Sequence, residues 1–108
     1  MKTFLIDNIT IKLGESAKEN WELSFTSNNE YIWVHLASFP SAHVIIENEC
    51  PETNIINQAG QLCKAHSKYR NLKNVKMSVT TCSNLKRGSK PGEVYFKSNR
   101  KVKEYVIR

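Results

Sequence analysis

Residues 31–46 read YIWVHLASFPSAHVII, two apolar runs joined by a short loop that carries Pro40 and Ser41. Alternate residues of a strand point to opposite faces of a sheet. The first run therefore places Trp33 and His35 on one face and only aliphatic side chains on the other. This pattern predicts a pair of strands whose aliphatic face belongs to a core. The aromatic and polar face is a candidate contact surface.

Two further elements are predicted ahead of this stretch. Short apolar runs flank Asp7 and Asn8, residue types that tolerate the positive φ angles of a tight β-hairpin turn. Ser16 and Glu19 have the spacing of a capping box, in which both side chains accept hydrogen bonds from free backbone N–H groups at a helix start. The sequence thus predicts a hairpin followed by a short helix from Ser16 to about Phe25.

The longer helix is predicted after the central stretch, with Thr53 as its N-cap, because apolar residues recur at helical spacing as far as His66. Gly60 lies inside it, at a cost of ~1 kcal/mol relative to alanine, so either the backbone passes close to another group there or the helix is simply imperfect. Alternation then predicts a half-buried strand over residues 75–82. Two shorter strands are predicted at 93–96 and 102–107.

This order of strands and helices predicts an α+β domain with a largely antiparallel sheet, one short helix and one longer helix. The 108 residues suit a single domain, 1–108, that buries a core without disulfide bonds. The three cysteines include no C-x-x-C pair, which indicates free thiols in a reducing compartment. No apolar run is long enough to span a bilayer and no secretory signal is recognisable, so we expect a cytoplasmic protein with no membrane partner.

Charge is divided unevenly along the chain. Residues 1–63 carry three Lys or Arg against eight Asp or Glu, whereas residues 64–108 carry thirteen against two. The two parts therefore have net charges of −5 and +11, which sum to the +6 of the whole chain. A one-sided positive field attracts polyanions, of which nucleic acid is the first candidate and anionic lipid the second.

The predicted loop 83–92, SNLKRGSKPG, is the strongest candidate for contact with a polyanion. Lys86, Arg87 and Lys90 lie there among two glycines and a proline. Accessible backbone N–H groups would accompany the three cations, an arrangement that phosphate oxygens favour. A solvated hairpin loop without a ligand is the alternative interpretation.

The central stretch leaves two questions open. Strand pairing would bring His35 and His43 together, but a metal site would also need Cys50 or Cys82, and no pair has zinc-finger spacing. Buried histidines hydrogen-bonded to the backbone are therefore the favoured interpretation. Trp33 is either a large core residue or, on an open face, a stacking platform for a base.

Four stretches of the chain resemble the NFACT-R domain, the RNA-binding module of proteins that act in ribosome-associated quality control. They are GESAKEN at 14–20 followed by Leu23, IWVH at 32–35, PSAHVII at 40–46 and KPGEV at 90–94. The corresponding family patterns are G-x-x-A-x-E-N-x-x-L, I-W-F-H, P-G-S-H-V and K-P-G-x-V. Tyr31 stands where an aspartate usually precedes I-W-F-H. Ser41 replaces the family glycine, as in small stand-alone eukaryotic members.

The resemblance implies a non-catalytic RNA-binding module in translation or ribosome quality control, with tRNA or ribosomal RNA as its target and no cofactor or metal. The ribosome and DNA are further partners to consider. The candidate RNA-binding residues are Trp33, His35, His43, Lys86, Arg87, Lys90, Arg100 and Lys101. Two alternatives stay open: a protein-interaction module that docks on an acidic partner, and a small hydrolase or metal enzyme built on His35 and His43.

Overall fold

The computed structural model describes all 108 residues and confirms the α+β class. Six strands form one antiparallel sheet, and two short strands form a separate hairpin. The strands are β1 (Lys2–Ile6), β2 (Ile9–Leu13), β3 (Ile32–Leu36), β4 (Val44–Ile46), β5 (Lys76–Thr81), β6 (Leu85–Arg87), β7 (Val94–Phe96) and β8 (Lys103–Val106). The helices are α1 (Ala17–Thr26) and α2 (Thr53–Ala65), and neither is long and apolar enough to cross a membrane.

Local sequence signals place the first three elements correctly. Asp7 and Asn8 adopt φ angles of 50° and 65° in the turn between β1 and β2, as the hairpin requires. At the start of α1, the Ser16 hydroxyl accepts a hydrogen bond from the backbone N–H of Glu19 at 3.1 Å. The Glu19 carboxylate accepts one from the N–H of Glu15 at 2.9 Å. The predicted cap is confirmed, with the Glu19 bond displaced by one residue from the usual capping box.

The stretch 31–46 supplies two neighbouring central strands. The sheet order is β1-β2-β4-β3-β5-β8, so β3 pairs with both β4 and β5. Trp33 lies opposite Ile45 on one side and Thr80 on the other. The predicted strand pair is therefore confirmed, and it occupies the middle of the sheet.

Both faces of the sheet are covered. Helix α2 packs on the aliphatic face, where Ile55, Ala59 and Cys63 join a large apolar core. Helix α1 and the β6–β7 hairpin cover the opposite face, where a smaller apolar cluster forms. The members of that cluster are Leu23, Trp33, Ile45, Cys82 and Leu85.

Two-sided coverage corrects the prediction for β5. Ser78 and Thr80 are buried along with Met77 and Val79, so the strand is not half-buried. The Thr80 hydroxyl is satisfied inside the protein, because it donates a hydrogen bond to the backbone carbonyl of Lys101 at 2.9 Å. Alternation of residue types cannot show this, since a buried hydroxyl with a partner looks like a surface hydroxyl in sequence.

Helix α2 departs from the prediction by one residue and confirms the role of its glycine. Glu52 is the N-cap, without a side-chain hydrogen bond, and Thr53 is the first helical residue. A Cβ at Gly60 would overlap the Met77 sulfur, which is buried in the core beneath the helix. The glycine thus allows α2 to lie close to β5.

The predicted loop 83–92 is a strand for part of its length. Leu85–Arg87 forms β6 and pairs with Val94–Phe96, which leaves only the tip, residues 88–93, as a loop. The prediction of a loop from Ser83 to Gly92 was wrong because Leu85, which is 3% exposed, anchors the strand in the cluster around Trp33.

Candidate nucleic-acid interface

Trp33, His35, His43 and Phe96 form one packed aromatic group, here called the Trp33 cluster. The Trp33 and His35 rings stack with centroids 5.4 Å apart and planes 5° apart. His43 and Phe96 meet the indole edge-on, at 5.3 and 5.6 Å. Trp33 is 1% exposed and His43 2%, so both side chains belong to the core.

The two histidines are held by hydrogen bonds within the protein. His35 Nδ1 donates to the backbone carbonyl of Leu36 at 2.7 Å, and His43 Nδ1 shares a hydrogen bond of 2.8 Å with the Ser24 hydroxyl. Their rings are 5.1 Å apart, as strand pairing predicts. No group of three His, Cys, Asp or Glu side chains in the chain is arranged to hold a metal ion.

Burial keeps both imidazoles neutral at pH 7. It lowers the pKa of His35, against a smaller opposing effect of hydrogen bonds at Leu36 and Ser41. It lowers the pKa of His43 to about 3, with a further contribution from repulsion between the two rings. The Trp33 cluster therefore adds no positive charge to a neighbouring surface at neutral pH.

The β6–β7 hairpin lies directly over this cluster, so the fold does bring the basic segment beside the histidines. The indole N–H of Trp21 donates to the carbonyl of Glu93 at 2.8 Å, which ties α1 to the hairpin tip. At Gly92, φ is +85°, and a Cβ there would lie 3.1 Å from the Ala17 side chain. The hairpin is thereby fixed on α1 and on the Trp33 cluster.

The motif stretches meet at this point of the fold. Gly14 donates its backbone N–H to the carbonyl of His43 at 3.0 Å, and Asn20 Oδ1 accepts the backbone N–H of His43 at 3.1 Å. The contact of Gly92 with Ala17 adds the third stretch. Three of the motif stretches thus hold α1, β4 and the hairpin together. They are GESAKEN at 14–20, PSAHVII at 40–46 and KPGEV at 90–94.

Arg87 is used to pack the hairpin. Its guanidinium carbon lies 5.0 Å from the ring centroid of Phe25 and 5.4 Å from that of Trp21, within the range of cation–π attraction. These two aromatic residues lie one helical turn apart on α1, but the sequence does not identify their partner. The positive charge of Arg87 therefore stabilises the contact between β6 and α1.

We expect Arg87→Ala to lower the free energy of unfolding by about 1 kcal/mol, because it removes a cation–π contact with two rings. Urea unfolding followed by circular dichroism measures the change. Lys86→Ala is the matched control, since Lys86 is exposed and should change stability by less than about 0.5 kcal/mol. Equal losses in the two variants would contradict this role for Arg87.

The remaining predicted cations are exposed, as Arg87 is, but they make no such contact with an aromatic ring. Lys86 lies on β6 and Lys90 at the hairpin tip, and neither forms an ion pair. Arg100 and Lys101 lie in a short 3₁₀-helix after β7. The side-chain amide of Asn84 donates to the Ser98 carbonyl at 2.9 Å and accepts from the Ser98 backbone N–H at 2.9 Å. These bonds hold the turn before this helix at the end of the hairpin away from the tip.

A groove of about 480 Å³ runs beside the start of α1. The loop around Pro40 forms one wall, and the segment after α2, which includes Lys68, forms another. Glu15 also lines it. The groove therefore has charges of both signs.

Comparison with known proteins agrees with this architecture. The model of the NFACT protein RNA binding domain matches residues 3–98. The Rqc2 homolog RqcH of Bacillus subtilis (strain 168) is 28% identical over 97 residues, which are 87% of this chain and 17% of that protein. The solved C-terminal part of the fibronectin/fibrinogen-binding protein from Streptococcus suis has a TM-score of 0.87 at 25% identity, and the match covers 97% of this chain and 43% of that one.

The chain spans less than half the length of either relative. The family match, however, extends over nearly the whole sequence and includes all four motif stretches. The chain therefore belongs to the NFACT protein RNA-binding domain family.

Proposed function

We propose that residues 1–108 act as one non-catalytic RNA-binding module, which contacts the RNA backbone through the β6–β7 hairpin. The observation that carries this proposal is the exposure of Lys86 and Lys90 on a hairpin that is tied to α1. Neither cation forms an ion pair in the protein, although Glu93 attracts Lys90 at longer range, so both ammonium groups can contact phosphate. Arg100 and Lys101 extend the positive surface at the other end of the hairpin.

The candidate residues take different parts in this proposal. Lys86, Lys90 and the basic turn contact phosphates, whereas Arg87 positions β6 against α1. Trp33, His35 and His43 support the hairpin from below rather than touching RNA, since two of the three are almost fully buried.

The proposed target is tRNA or ribosomal RNA in a cytoplasmic, ribosome-quality-control setting. The RNA binding named in the family description and the likeness to an Rqc2 homolog support this choice. Phosphate contacts alone do not distinguish RNA from DNA, because that distinction requires contacts to the 2′-hydroxyl. Titration of RNA and DNA of the same sequence separates the two.

We expect the double variant Lys86→Ala/Lys90→Ala to bind tRNA roughly ten-fold more weakly at about 0.1 M salt. The slope of log affinity against log salt should also fall by roughly 0.7 to 0.9 for each lost phosphate contact. Fluorescence anisotropy of labelled tRNA at several salt concentrations measures both quantities.

The charge-matched control is Lys64→Ala/Lys76→Ala, which removes two cations from α2 and the start of β5. Equal weakening by the two double variants would show that net charge, rather than the hairpin, determines binding. A wild-type protein that binds no RNA at low salt would refute the proposed function altogether.

A further inference from the structure

The β6–β7 hairpin has two different faces. Leu85 and Phe96, directly opposite each other, point inward, where Phe96 meets the Trp33 ring edge-on and Leu85 joins the same buried apolar cluster as Trp33. The next pair, Lys86 and Tyr95, points outward, and Tyr95 is 53% exposed. Lys97, the first residue after β7, is also exposed, and its backbone N–H donates to the Asn84 carbonyl at 2.9 Å, which keeps it beside the hairpin. The outer face thus presents one aromatic ring between two lysines.

The Tyr95 ring is held in place at its hydroxyl end. The hydroxyl donates a hydrogen bond to the Glu93 carboxylate at 3.2 Å. That carboxylate also accepts hydrogen bonds from the backbone N–H of Ser89 at 2.9 Å and from the Ser89 hydroxyl at 3.2 Å. The hydrogen bond and negative charge of Glu93 raise the pKa of Tyr95, in keeping with a phenol that donates to this carboxylate.

We propose that Tyr95, flanked by Lys86 and Lys97, is a stacking site for an unpaired base of the bound RNA. The inference rests on the proposed function and deepens it, because it names single-stranded or looped segments as the part of the RNA that is recognised. A base in a duplex has no free face to offer, whereas an unpaired base stacks on an exposed aromatic ring while cations hold the adjacent phosphates.

The sequence pointed to another aromatic residue for this task. Trp33 is 1% exposed and its face is occupied by His35, so no base reaches it in this structure. Tyr95 is the aromatic side chain that the hairpin leaves open, beside the same lysines that carry the proposed phosphate contacts.

The test compares a single-stranded RNA of about 12 nucleotides, within the usual site size of such proteins, with a duplex that contains the same sequence. Tyr95→Ala should bind the single strand roughly ten-fold more weakly and the duplex within about two-fold of the wild type. Tyr95→Phe, which keeps the ring, should restore most of the single-strand affinity. Leu72→Ala is the control, since it removes another exposed apolar side chain from a different part of the surface.

The outcomes separate this inference from the proposed function. If the wild type binds RNA and Tyr95→Ala keeps its affinity for the single strand, the stacking site is refuted and the lysine contacts stand. The stacking site is also refuted if Tyr95→Ala loses affinity equally for the single strand and the duplex. If the wild type binds neither RNA, the proposed function fails and the stacking site with it.

Discussion

Trp33→Ala should lower the free energy of unfolding by about 3 to 5 kcal/mol. The side chain is 1% exposed, on the central strand β3, and its ring contacts those of His35, His43 and Phe96. Truncation leaves a cavity under the hairpin that the rigid sheet cannot close. A loss of this size is a large part of the 5 to 15 kcal/mol that stabilises an ordinary domain.

Urea unfolding followed by far-ultraviolet circular dichroism measures this loss. Trp33→Phe is the matched variant and should lose less than half as much, because it keeps an aromatic ring in the cluster. The buried indole N–H has no hydrogen-bond partner, so its removal breaks no bond. A Trp33→Ala protein that keeps wild-type stability but fails to bind RNA would instead make Trp33 a stacking platform.

Lowering the pH from 7 to 5 should cost about 2 kcal/mol of unfolding free energy. The pKa of His43 is about 3 in the folded protein against an ordinary value of 6.5. The unfolded chain therefore takes up the proton first, and stability falls as the pH drops below about 6.5 and continues to fall toward pH 3. The lowered pKa of His35 acts in the same direction.

Denaturant unfolding at pH 7, 6 and 5 measures this dependence. The measurements stop at pH 5 because carboxylates with lowered pKa values add their own acid destabilisation below that pH. Examples are the carboxylates of Glu15, Glu19 and Glu93. His43→Gln should flatten the curve between pH 7 and 5, whatever its stability at pH 7. An unchanged slope in that variant would show that His43 is not the group responsible.

The elements that sequence predicts well are those specified by neighbouring residues. The turn at Asp7 and Asn8 and the cap at Ser16 depend on side chains within a few positions of one another. The apolar stripe of α2 likewise lies within one helix. Strand β6 was missed for the opposite reason, because its anchor, Leu85, packs against Trp33 far away in the chain.

In the candidate site, too, some features follow from neighbouring residues and others from contacts between distant parts of the chain. Local composition is enough to propose Lys86 and Lys90 as phosphate contacts, since a cluster of cations is visible in the sequence itself. It cannot show that Arg87 lies over the rings of α1, or that Tyr95 rather than Trp33 stays open to solvent. Both facts depend on how the hairpin docks on the sheet, which no local pattern specifies.

The hairpin is joined to the rest of the protein by side chains, while its backbone ladder is separate from that of the six-stranded sheet. Such a unit can open locally at a lower free energy than the whole domain, since the sheet keeps its own hydrogen bonds when the hairpin leaves. Its anchors on α1 hold the hairpin in one position in the folded protein. If RNA binds the hairpin as proposed, it meets a preorganised surface and loses less affinity to conformational entropy than it would on a flexible basic loop.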